Sequence, residues 1–449
     1  MLGIKFLGKT HIPHCKSTEN MPPVPMTPPS EVLLPLSQHI GAPATPIVKV
    51  GDEVKIGQKI AEGVGYVSSP IYATISGKVK KMEDYLRPDG KIVSAIRIEG
   101  DGLMTPCENL APPEICDLDS LITAARDCGL VGLGGAGFPL SVKLDALKKG
   151  NIDTIIINGA ECEPYITCDT QTMLYASQLL KTGIEYFEKF APTVTKYIFG
   201  VEKNKPTCIA KLKETFAADG KVKVHTLPDK YPQGAEKILI YNTTKRILPE
   251  GKLPADVNVI VINVTSLAVL ANYISTGMPL VRRTVTVDGS AIRSPKNILA
   301  PIGTKIGELI DFCGGMSDCA KVLYGGPMMG TPVASLDEPI LKTTGGITAL
   351  SKEDAIAKSP TACIHCGRCV EACPLFLEPD VFSRAFEYES KDEKMHILDS
   401  HKIMLCMECG CCSYVCPANR PLVENNRIGK AQLREYKTQL EKSKDKGGK

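Results

Sequence analysis

Eight of the eighteen cysteines form two runs of identical spacing near the end of the chain. In each run three cysteines stand three residues apart, and a fourth, followed by proline, comes four residues later. Thiolates at this spacing hold [4Fe-4S] cubes, and in two-cluster proteins the fourth cysteine ligates the other cluster. The sequence therefore predicts one cluster on Cys363, Cys366, Cys369 and Cys416, and a second on Cys406, Cys409, Cys412 and Cys373.

A pair of zinc sites is the alternative, because two cysteines separated by two residues are also a zinc spacing. Zinc sites rarely combine a three-step array with a terminal Cys-Pro, and here the combination occurs twice, so clusters are favoured. Cys411 lies inside the second run but off its spacing. We expect it to be a thiol that packs near the cluster without ligating it. The other nine cysteines show no ligand spacing and are expected to be buried thiols.

A second candidate site is the glycine-rich stretch Gly132 to Gly137, which matches the pattern G-x-G-x-x-G. In a dinucleotide-binding turn this pattern directly follows a strand. Here the helical pattern Leu118 to Cys128 precedes it, so that interpretation fails. Glycines still let backbone N–H groups approach a phosphate, and a helix expected from about Ser141 would offer its positive end. A tight structural turn remains the alternative.

Length and composition describe the chain that must position these groups. Its 449 residues allow about three domains. The net charge of +3 gives no reason to expect nucleic acid as a partner. The most apolar stretch, Val259 to Ile274, is interrupted by polar residues, so no run has the roughly 18 apolar residues of a membrane span. Met1 to Cys15 has no apolar segment of signal-peptide length. We expect a cytoplasmic chain without a transmembrane helix.

The pattern of elements changes along the chain. Residues 12–36 contain seven prolines and are expected to be extended and loop-like, while residues 41–100 alternate short β-branched runs with turns, which predicts a small β module. From Asp117 strands and helices alternate, which predicts a largely parallel sheet covered by helices. A small α+β insert and a cysteine-dense helical module follow. The end, Arg427 to Lys449, carries eight basic and three acidic residues, and is expected to be a solvated helix rather than a membrane-surface segment.

Taken together, the motifs resemble a known family. Gly132 to Lys143, followed by Asn158 to Pro164, resembles the flavin and NADH site of the NADH-binding subunit of respiratory complex I. The chain is more similar still to the C subunit of the Rnf-type ion-translocating ferredoxin:NAD oxidoreductase, over nearly its whole length. Further matching segments are Pro35 to Pro43, Val50 to Asp52, Gly57-Gln58, Tyr231 to Gly234, Gly325 to Gly330 and the two cysteine runs.

The resemblance implies a multidomain α/β protein. Its parts would be an N-terminal segment with a lipoyl-like barrel-sandwich (residues 1–115), a Rossmann-like flavin domain (116–279), a β-grasp insert (280–350), a two-cluster ferredoxin-like domain (351–427) and a basic tail (428–449). In the barrel, Gly63 to Val67 stands where a carrier lysine would be modified, so a docking role is expected for this module.

The resemblance also implies an FMN site, with NAD(H) as substrate. Gly132, Gly134 and Lys143 would face the phosphate and ribityl chain, and Gly135 and Gly137 of the same loop would also bind the cofactor. Asn158 and Glu161 would lie beside the flavin, with Gly234, Glu236 and Asn263 completing the pocket. Phe138 would stack on the adenine of NADH and Glu163 would help to place the nicotinamide, so Glu161 and Glu163 are the predicted catalytic residues. Leu133 and Ala160 replace an arginine and an aspartate of the complex I pattern, which weakens the NADH assignment.

The function implied is exchange of hydride between NAD(H) and FMN, and of single electrons between FMN and the clusters, because a hydride carries two electrons and a cubane accepts one. Other subunits of a membrane complex would pump ions, and a ferredoxin-like iron-sulfur subunit would be among the partners. The chain would lie peripherally on the cytoplasmic face of the membrane. The alternatives are a flavin-free electron carrier and a cobalamin-reductase-like flavoprotein, although the barrel placed ahead of the flavin domain favours the Rnf order.

Overall fold

The computed structural model describes residues 7–87, 90–356 and 358–447, with side chains as far as residue 442. The first six residues, part of the predicted N-terminal segment, and the last side chains of the predicted basic tail lie outside this description. Among the helices that are described, none is long and apolar enough to cross a bilayer.

The first unit is a β module, called here the barrel module. It and the segment before it contribute strands β1 (Val24–Pro25), β2 (Glu31–Pro35), β3 (Thr45–Pro46), β4 (Glu53–Val54), β5 (Lys59–Glu62), β6 (Ile71–Tyr72), β7 (Gly77–Leu86) and β8 (Ile92–Gly100). Two sheets, of order β2-β8-β7-β4 and β3-β5-β6, enclose a core in which Leu34 and Ile96 are fully buried. The predicted β module is confirmed in this architecture.

The proline-rich segment departs from its prediction as a loop. Strand β2 pairs antiparallel with β8, and Val32 lies opposite Ile98. Its apolar Val32, Leu33 and Leu34 are buried, and Pro35 ends the strand at the edge of the sheet, where a missing N–H is tolerated. The segment is therefore extended as expected, but residues 31–35 belong to a sheet.

The α/β module follows. Its helices and strands are α1 (Leu118–Asp127), α2 (Leu140–Leu144), β9 (Thr154–Asn158), α3 (Cys168–Tyr175), α4 (Ser177–Phe190), β10 (Lys196–Glu202), α5 (Pro206–Thr215), β11 (Val222–Leu227), α6 (Glu236–Thr244), β12 (Val259–Asn263) and α7 (Val264–Thr276). All four strands are parallel, in the order β11-β10-β9-β12. The predicted helix α1 does precede the glycine-rich stretch, and Asp117 caps it by accepting from the Ser120 N–H.

The β-grasp module contains β13 (Arg282–Asp288), β14 (Lys296–Pro301), α8 (Ile306–Phe312), β15 (Cys319–Tyr324), β16 (Thr331–Pro332) and β17 (Gly346–Ser351). Its sheet has the order β1-β14-β13-β17-β15-β16. Strand β1 therefore comes from the N-terminal segment, where Val24 pairs in parallel with Ile298. The predicted division between residues 1–115 and 280–350 does not separate these strands.

The cysteine module is helical: α9 (Lys352–Ala355), α10 (Arg368–Ala372), α11 (Pro379–Arg384), α12 (Lys391–Ser400), α13 (Cys411–Tyr414) and α14 (Leu422–Gly447). Helix α14 crosses the predicted boundary at residue 428 without interruption. Its Leu433 is buried against α11 and α12, and Lys437 pairs with Asp399 of α12 at 2.7 Å. The first half of the predicted basic tail is thus packed against the module rather than solvated on all sides.

Candidate functional site

Two asparagines mark the place where the order of the parallel sheet reverses. Asn158 ends β9 and Asn263 ends β12, and the two are register partners on neighbouring strands. The chain runs from β9 to β10 on one side and places β12 on the other. Crevices at the carboxyl ends of strands at such a switch point are the usual ligand sites of parallel α/β sheets. Both residues were predicted to line the flavin pocket, and the structure brings them together.

The glycine-rich stretch forms a loop over this crevice. A bridge between Val131 and Pro139 closes its neck, and the Gly132 N–H donates to the Phe138 carbonyl at 2.9 Å. On one side the Leu133 N–H donates to Ser266 Oγ of α7 at 3.1 Å, and on the other Arg283 of the β-grasp module donates to the Leu133 carbonyl at 3.0 Å. The neck is therefore fixed by two modules, while the tip, residues 134–136, is exposed. Phe138 is half-buried at the neck.

Only one of the loop glycines is required by backbone conformation. Gly137 has φ +71°, whereas Gly132, Gly134 and Gly135 lie outside the left-handed region. A Cβ on Gly135 would meet no protein atom within 4 Å. Neither strain nor crowding by the protein explains glycine there, so the surface is suited to a ligand that approaches the backbone closely. The loop fits the phosphate-bearing chain of FMN on this ground.

The helix whose start lies at the loop is α7, not the one predicted. Helix α2 begins at Leu140, close to the expected Ser141, but it has only five residues, so its dipole is small. Helix α7 has thirteen residues, and its N-cap Asn263 accepts from the N–H groups of Thr265 and Ser266. A Cβ on Gly134 would lie 2.5 Å from Asn263 Nδ2, which explains why glycine is needed at this contact.

Polar side chains predicted for the pocket meet at its other wall. Lys143 Nζ lies 3.1 Å from Glu236 Oε2, where α6 begins, and 3.3 Å from the Val261 carbonyl oxygen. Asn158 Nδ2 donates to the Gly234 carbonyl at 2.9 Å. The structure thus brings together the lysine, the carboxylate and the amide that the resemblance implies for one site.

The carboxylate of Glu161 is occupied by hydrogen bonds from α3, which do not favour a role in proton transfer. It has φ +46°, and its carboxylate accepts from the Asp169 N–H at 2.6 Å, the Thr170 N–H at 3.1 Å and Thr170 Oγ1 at 2.6 Å. These donors lie in the first turn of α3, so the carboxylate caps that helix. The predicted catalytic role is not what this arrangement favours. Glu161 positions the loop between β9 and α3.

Asp169, to which the sequence analysis assigned no role, contacts the residues at the end of β12 and the start of α7. It accepts from Asn263 Nδ2 and from Thr265 Oγ1, each at 2.7 Å. Burial, together with the neighbouring Glu161 charge, raises the pKa of this carboxyl to about 6. Asp169 therefore orients the amide that borders Gly134. No sequence pattern predicts this role, because the burial of this helix start, which is unusual for an aspartate, becomes visible only in the structure.

Two lysines that the sequence did not single out, the half-buried Lys16 and the buried Lys205, hold the loop after β9. Lys16 Nζ donates to the carbonyls of Glu161, Glu163 and Ile166, and Lys205 Nζ donates to the Ala160 carbonyl at 2.8 Å. Burial, reinforced by the Lys205 charge, lowers the pKa of Lys16. Burial also acts to lower the pKa of Lys205, but the Glu202 carboxylate 3.1 Å away outweighs it and the pKa is raised. No local pattern reveals such long-range partners.

Glu163, predicted to place a nicotinamide, has its carboxylate engaged by the protein itself. It accepts from the Met328 N–H at 3.1 Å and the Met329 N–H at 2.8 Å, both in the β-grasp module. Tyr231 Oη lies 3.5 Å from the same group. Burial raises the pKa of Glu163, although the two backbone donors oppose the shift. Sequence reasoning missed these contacts because the partner loop is more than 160 residues away along the chain.

The eight cysteines of the two runs line two cavities. The first, of about 190 Å³, is lined by Cys363, Cys366, Cys369 and Cys416, and the second by Cys373, Cys406, Cys409 and Cys412. The fourth cysteine of each run has thus crossed to the other cavity, as the spacing predicted. Cys411 is buried and also borders the second cavity, although it is off the ligand spacing.

Backbone donors point at several of these sulfurs. Cys363 Sγ accepts from the His365 N–H at 3.4 Å, Cys406 Sγ from the Glu408 N–H at 3.4 Å and Cys373 Sγ from the Leu377 N–H at 3.3 Å. Hydrogen bonds of this kind to ligand sulfurs tune iron-sulfur clusters. Four sulfurs per cavity with such donors fit [4Fe-4S] clusters, and the crossing of each fourth cysteine does not resemble two separate zinc knuckles.

The second cavity lies against the α/β module. Cys409 and Cys411 belong to a small apolar cluster with Ile12 and Tyr231, against which Cys162 and Met328 pack. Cys162 lies on the loop between β9 and α3, and Tyr231 lies shortly before Gly234, which contacts Asn158 at the crevice. Residues that line the first cavity reach the surface of the chain, because Cys366 is exposed and Ile364 is 66% accessible.

Comparisons with known proteins agree with this architecture. Four family models match in chain order: an RnfC barrel sandwich hybrid domain over residues 4–103, the Nuo51 FMN-binding domain over 125–272, an SLBB domain over 284–332 and a 4Fe-4S dicluster domain over 359–420. A chain of an NAD+-reducing [NiFe]-hydrogenase superimposes with a TM-score of 0.50 at 19% identity, covering 71% of this chain and 62% of the other, less than two thirds of its length.

Curated relatives extend the match. The C subunit of the proton-translocating ferredoxin:NAD(+) oxidoreductase complex of Clostridium ljungdahlii is 41% identical over 88% of this chain and 88% of its own. The C subunit of the Na(+)-translocating complex of Acetobacterium woodii is 42% identical over 83% of this chain and 85% of its own. The C subunit of the ion-translocating oxidoreductase complex of Rhodobacter capsulatus is 38% identical over 94% and 81%.

Fold and site together define a flavin and iron-sulfur oxidoreductase component built on an FMN-binding domain and a dicluster domain. More closely, the chain belongs to the RnfC family, the C subunits of ion-translocating ferredoxin:NAD(+) oxidoreductase complexes. The resemblance stated from the sequence is confirmed, and a flavin-free carrier is not favoured.

Proposed function

We propose that this chain exchanges hydride between NAD(H) and FMN, and single electrons between FMN and two [4Fe-4S] clusters, as a subunit of a ferredoxin:NAD oxidoreductase. The observation that carries the proposal is the apolar cluster that Tyr231 shares with Cys409 and against which Met328 packs, because this cluster joins the α/β crevice to the second cysteine cavity. When bound, FMN supplies the conversion between two-electron and one-electron chemistry. The protein supplies positions, dipoles and exclusion of water.

The residues proposed to hold FMN are those around the crevice. Backbone N–H groups of the exposed tip, at Gly134 and Gly135, would meet the phosphate, with Lys143 nearby as the cation. Asn158, Gly234 and Asn263 would border the ring, and Glu236 would keep Lys143 oriented through their ion pair. Phe138 is the proposed platform for the adenine of NADH. Its half-buried position at the loop neck supports this role.

The two cavities are proposed to hold the clusters in the crossed sets already described. We further propose that the second cavity is the one nearer to the flavin and that the first faces a partner. The exposed Cys366 and Ile364 support this order, since a cluster within reach of the surface can exchange electrons with another protein. The proposed partner is a ferredoxin-like iron-sulfur subunit.

Location and assembly follow from the family. The named relatives are subunits of ion-translocating complexes, so we propose that other subunits span the membrane and move ions. This chain would bind peripherally on the cytoplasmic face. As working boundaries for its modules we propose residues 1–115, 116–279, 280–350, 351–427 and 428–449, except that β1 pairs into the β-grasp sheet and α14 continues into the tail.

The test is a count of cofactors and an NADH titration on anaerobically purified protein. We expect roughly eight irons and one FMN per chain, and bleaching of both chromophores by NADH. Gly135→Val should then lose FMN and NADH-driven cluster reduction while keeping its iron, because the new side chain fills ligand space and its Cβ meets no protein atom within 4 Å. Gly220→Val is the matched control, since Gly220 is also exposed, outside the left-handed region and without neighbours within 4 Å. Retention of FMN by Gly135→Val would contradict the assignment.

A further inference from the structure

The loop Gly325 to Gly330 of the β-grasp module, called here the GG loop, touches both redox sites. The Gly325 N–H donates to the Gly346 carbonyl at 2.7 Å and Thr348 Oγ1 donates to the Gly325 carbonyl at 2.7 Å, so the loop is anchored on β17. The Gly330 N–H donates to the Gly326 carbonyl at 2.9 Å, which closes the loop into a single tight turn. Its two N–H groups at Met328 and Met329 project together from this turn.

On the flavin side the GG loop is held by Glu163. One carboxylate receives both projecting N–H groups, an arrangement that charge strengthens relative to neutral hydrogen bonds. The approach is close, because a Cβ on Gly326 would lie 2.3 Å from Glu163 Oε2. Glu163 and Glu161 lie on the loop that follows Asn158 of β9, so the contact connects the GG loop to the residues that border the flavin crevice.

On the cluster side the GG loop abuts the second cysteine run. A Cβ on Gly410 would lie 2.8 Å from the Met328 carbonyl oxygen. Gly410 follows Cys409, and the Met328 side chain packs in the apolar cluster that contains Cys409 and Cys411. The equivalent residue of the first run, Gly367, has nearly the same backbone, with φ +73° against +79°, but open space around its Cβ position. Contact with the GG loop is thus specific to the second run.

We propose that the β-grasp module is the positioning element for electron transfer between flavin and second cluster, with Glu163 fixing the GG loop and Gly410 seating the cluster turn on it. Glu163 is accordingly a positioning residue and does not act on nicotinamide. The inference deepens the proposed function and rests on it, since it concerns the gap between the two proposed cofactors.

Glu163→Gln is the first test. An amide can accept only one of the two N–H groups through its oxygen and presents N–H to the other. Exchange of the Met328 and Met329 amide hydrogens, measured by mass spectrometry on the full chain, should accelerate at least about tenfold. In anaerobic stopped flow, flavin reduction by NADH should keep its rate while the later cluster reduction slows at least about tenfold.

Glu338→Gln is the matched control. Glu338 belongs to the same module and also accepts from two backbone N–H groups, of Ala334 at 2.7 Å and Ser335 at 3.1 Å, but both lie in its own module. It should leave both the exchange of the GG loop and the rate of cluster reduction as in the unmodified protein.

Gly410→Ala and Gly367→Ala form the second pair, and they serve if Glu163→Gln fails to fold. Both strain a left-handed residue beside a predicted cluster ligand, but only Gly410→Ala pushes on the Met328 carbonyl, so it alone should accelerate hydrogen exchange in the GG loop. Gly410→Ala should also slow reduction of the clusters by the flavin.

The outcomes separate the two proposals. If NADH does not reduce the flavin of the unmodified protein, the proposed function fails. If it does, and both Glu163→Gln and Gly410→Ala reduce the clusters at the unmodified rate, the positioning role is wrong. Slower flavin reduction by NADH with an unchanged cluster step would likewise overturn it and return Glu163 to the nicotinamide.

Discussion

Lys342 is a fully buried lysine at the meeting point of three modules. It lies between strands of the β-grasp module, and its Nζ donates to Pro70 O and Gly129 O, each at 2.7 Å, and to Ser69 Oγ at 3.2 Å. These acceptors belong to the barrel and α/β modules. No carboxylate is among them, so burial lowers the pKa of Lys342 to about 7. The residue ties the modules together through neutral oxygen atoms.

This low pKa makes stability depend on pH in a defined direction. Between about pH 7 and the ordinary value of 10.5, the unfolded chain holds a proton on Lys342 that the folded chain does not. The free energy of unfolding should therefore rise with pH across this window, by up to about 1.4 kcal/mol per pH unit from this residue. Below pH 7 both states are protonated and the contribution is constant.

Denaturant titrations from pH 7 to 9.5 would measure the effect. Lys342→Met should remove this part of the slope, although it also lowers stability by leaving two carbonyls unpaired. Lys213→Met, at an exposed position of α5, should keep the slope. Equal slopes in the unmodified protein and Lys342→Met would show that Lys342 does not titrate in this way.

The cysteine cavities allow a direct count at the level of single residues. Cys409→Ser removes a sulfur from the second cavity and should lower the iron content from roughly eight to roughly four per chain. Cys411→Ser changes a thiol at the same cavity that is off the ligand spacing, and it should keep roughly eight irons. Iron and sulfide assays on anaerobic protein give the answer, and iron loss in Cys411→Ser equal to that in Cys409→Ser would make Cys411 a ligand.

At the scale of single residues, the sequence predicted those sites whose whole pattern lies within a short stretch of the chain. The cysteine runs carry their whole pattern within a short stretch of chain, and the crossed cavities agree with it. Lys16, Lys205 and Lys342 gave no such signal, because each is explained only by oxygen atoms that arrive from distant parts of the sequence. Glu163 was predicted from its motif to contact the nicotinamide. Its carboxylate instead accepts hydrogen bonds from backbone N–H groups in a loop that is distant in sequence.

At the scale of elements, residues 7–21 form a strap across the α/β and β-grasp modules. Thr10 bridges to Tyr231, Ser17 Oγ donates to Asp288 Oδ2 at 2.7 Å, and the Glu19 carbonyl accepts from Gln171 Nε2 at 2.9 Å. Lys16 lies at the centre of the strap, beneath the loop that follows β9. The strap therefore holds in place the loop after β9, which forms the floor of the flavin crevice.

Loss of the Lys16 amine should weaken this floor. Lys16→Met leaves the carbonyls of Glu161, Glu163 and Ile166 without their common donor, which we expect to lower the free energy of unfolding by about 2–4 kcal/mol. FMN affinity should fall with it. Lys9→Met, on an exposed part of the same strap, should change neither quantity by more than about 0.5 kcal/mol. Denaturant melts and flavin fluorescence would decide, and unchanged stability in Lys16→Met would refute the supporting role.

The elements themselves were predictable to different degrees. The parallel strands β9, β10 and β12 are short, mostly apolar runs, whereas β11 alternates apolar and polar residues. Their alternation with helical patterns from Asp117 onward predicted the parallel sheet. The proline-rich segment was mistaken for loop because prolines outweighed Val32, Leu33 and Leu34 in the pattern. A helix from about Ser141 was expected to offer its positive end to a phosphate, but the α-helix there has only five residues, and α7 begins beside the loop instead.

At the scale of the whole molecule, the cofactors should behave as one electron store. FMN takes two electrons and each cluster one, so the holoprotein should consume about two NADH per chain at full reduction. An anaerobic titration followed at flavin and cluster wavelengths measures this. Consumption of about one NADH, with cluster absorbance unchanged, would mean that the second cavity is not connected to the crevice. Cys409→Ser is the corresponding control. If the second cluster is the one that accepts electrons from the flavin, this variant should also consume only about one NADH per chain.

The pairing of Val24 with Ile298 has a consequence for biosynthesis. A ribosome releases the first of these partners when more than half of the chain is still untranslated. At roughly 5–20 residues per second, this strand waits roughly 15 to 55 seconds for its neighbour. Strand β1 cannot pair with β14 during that interval, so the β-grasp sheet assembles in a different order from that in which its strands are translated. A chaperone that shields early polypeptide should raise the yield of this protein more than that of chains whose neighbours emerge in sequence.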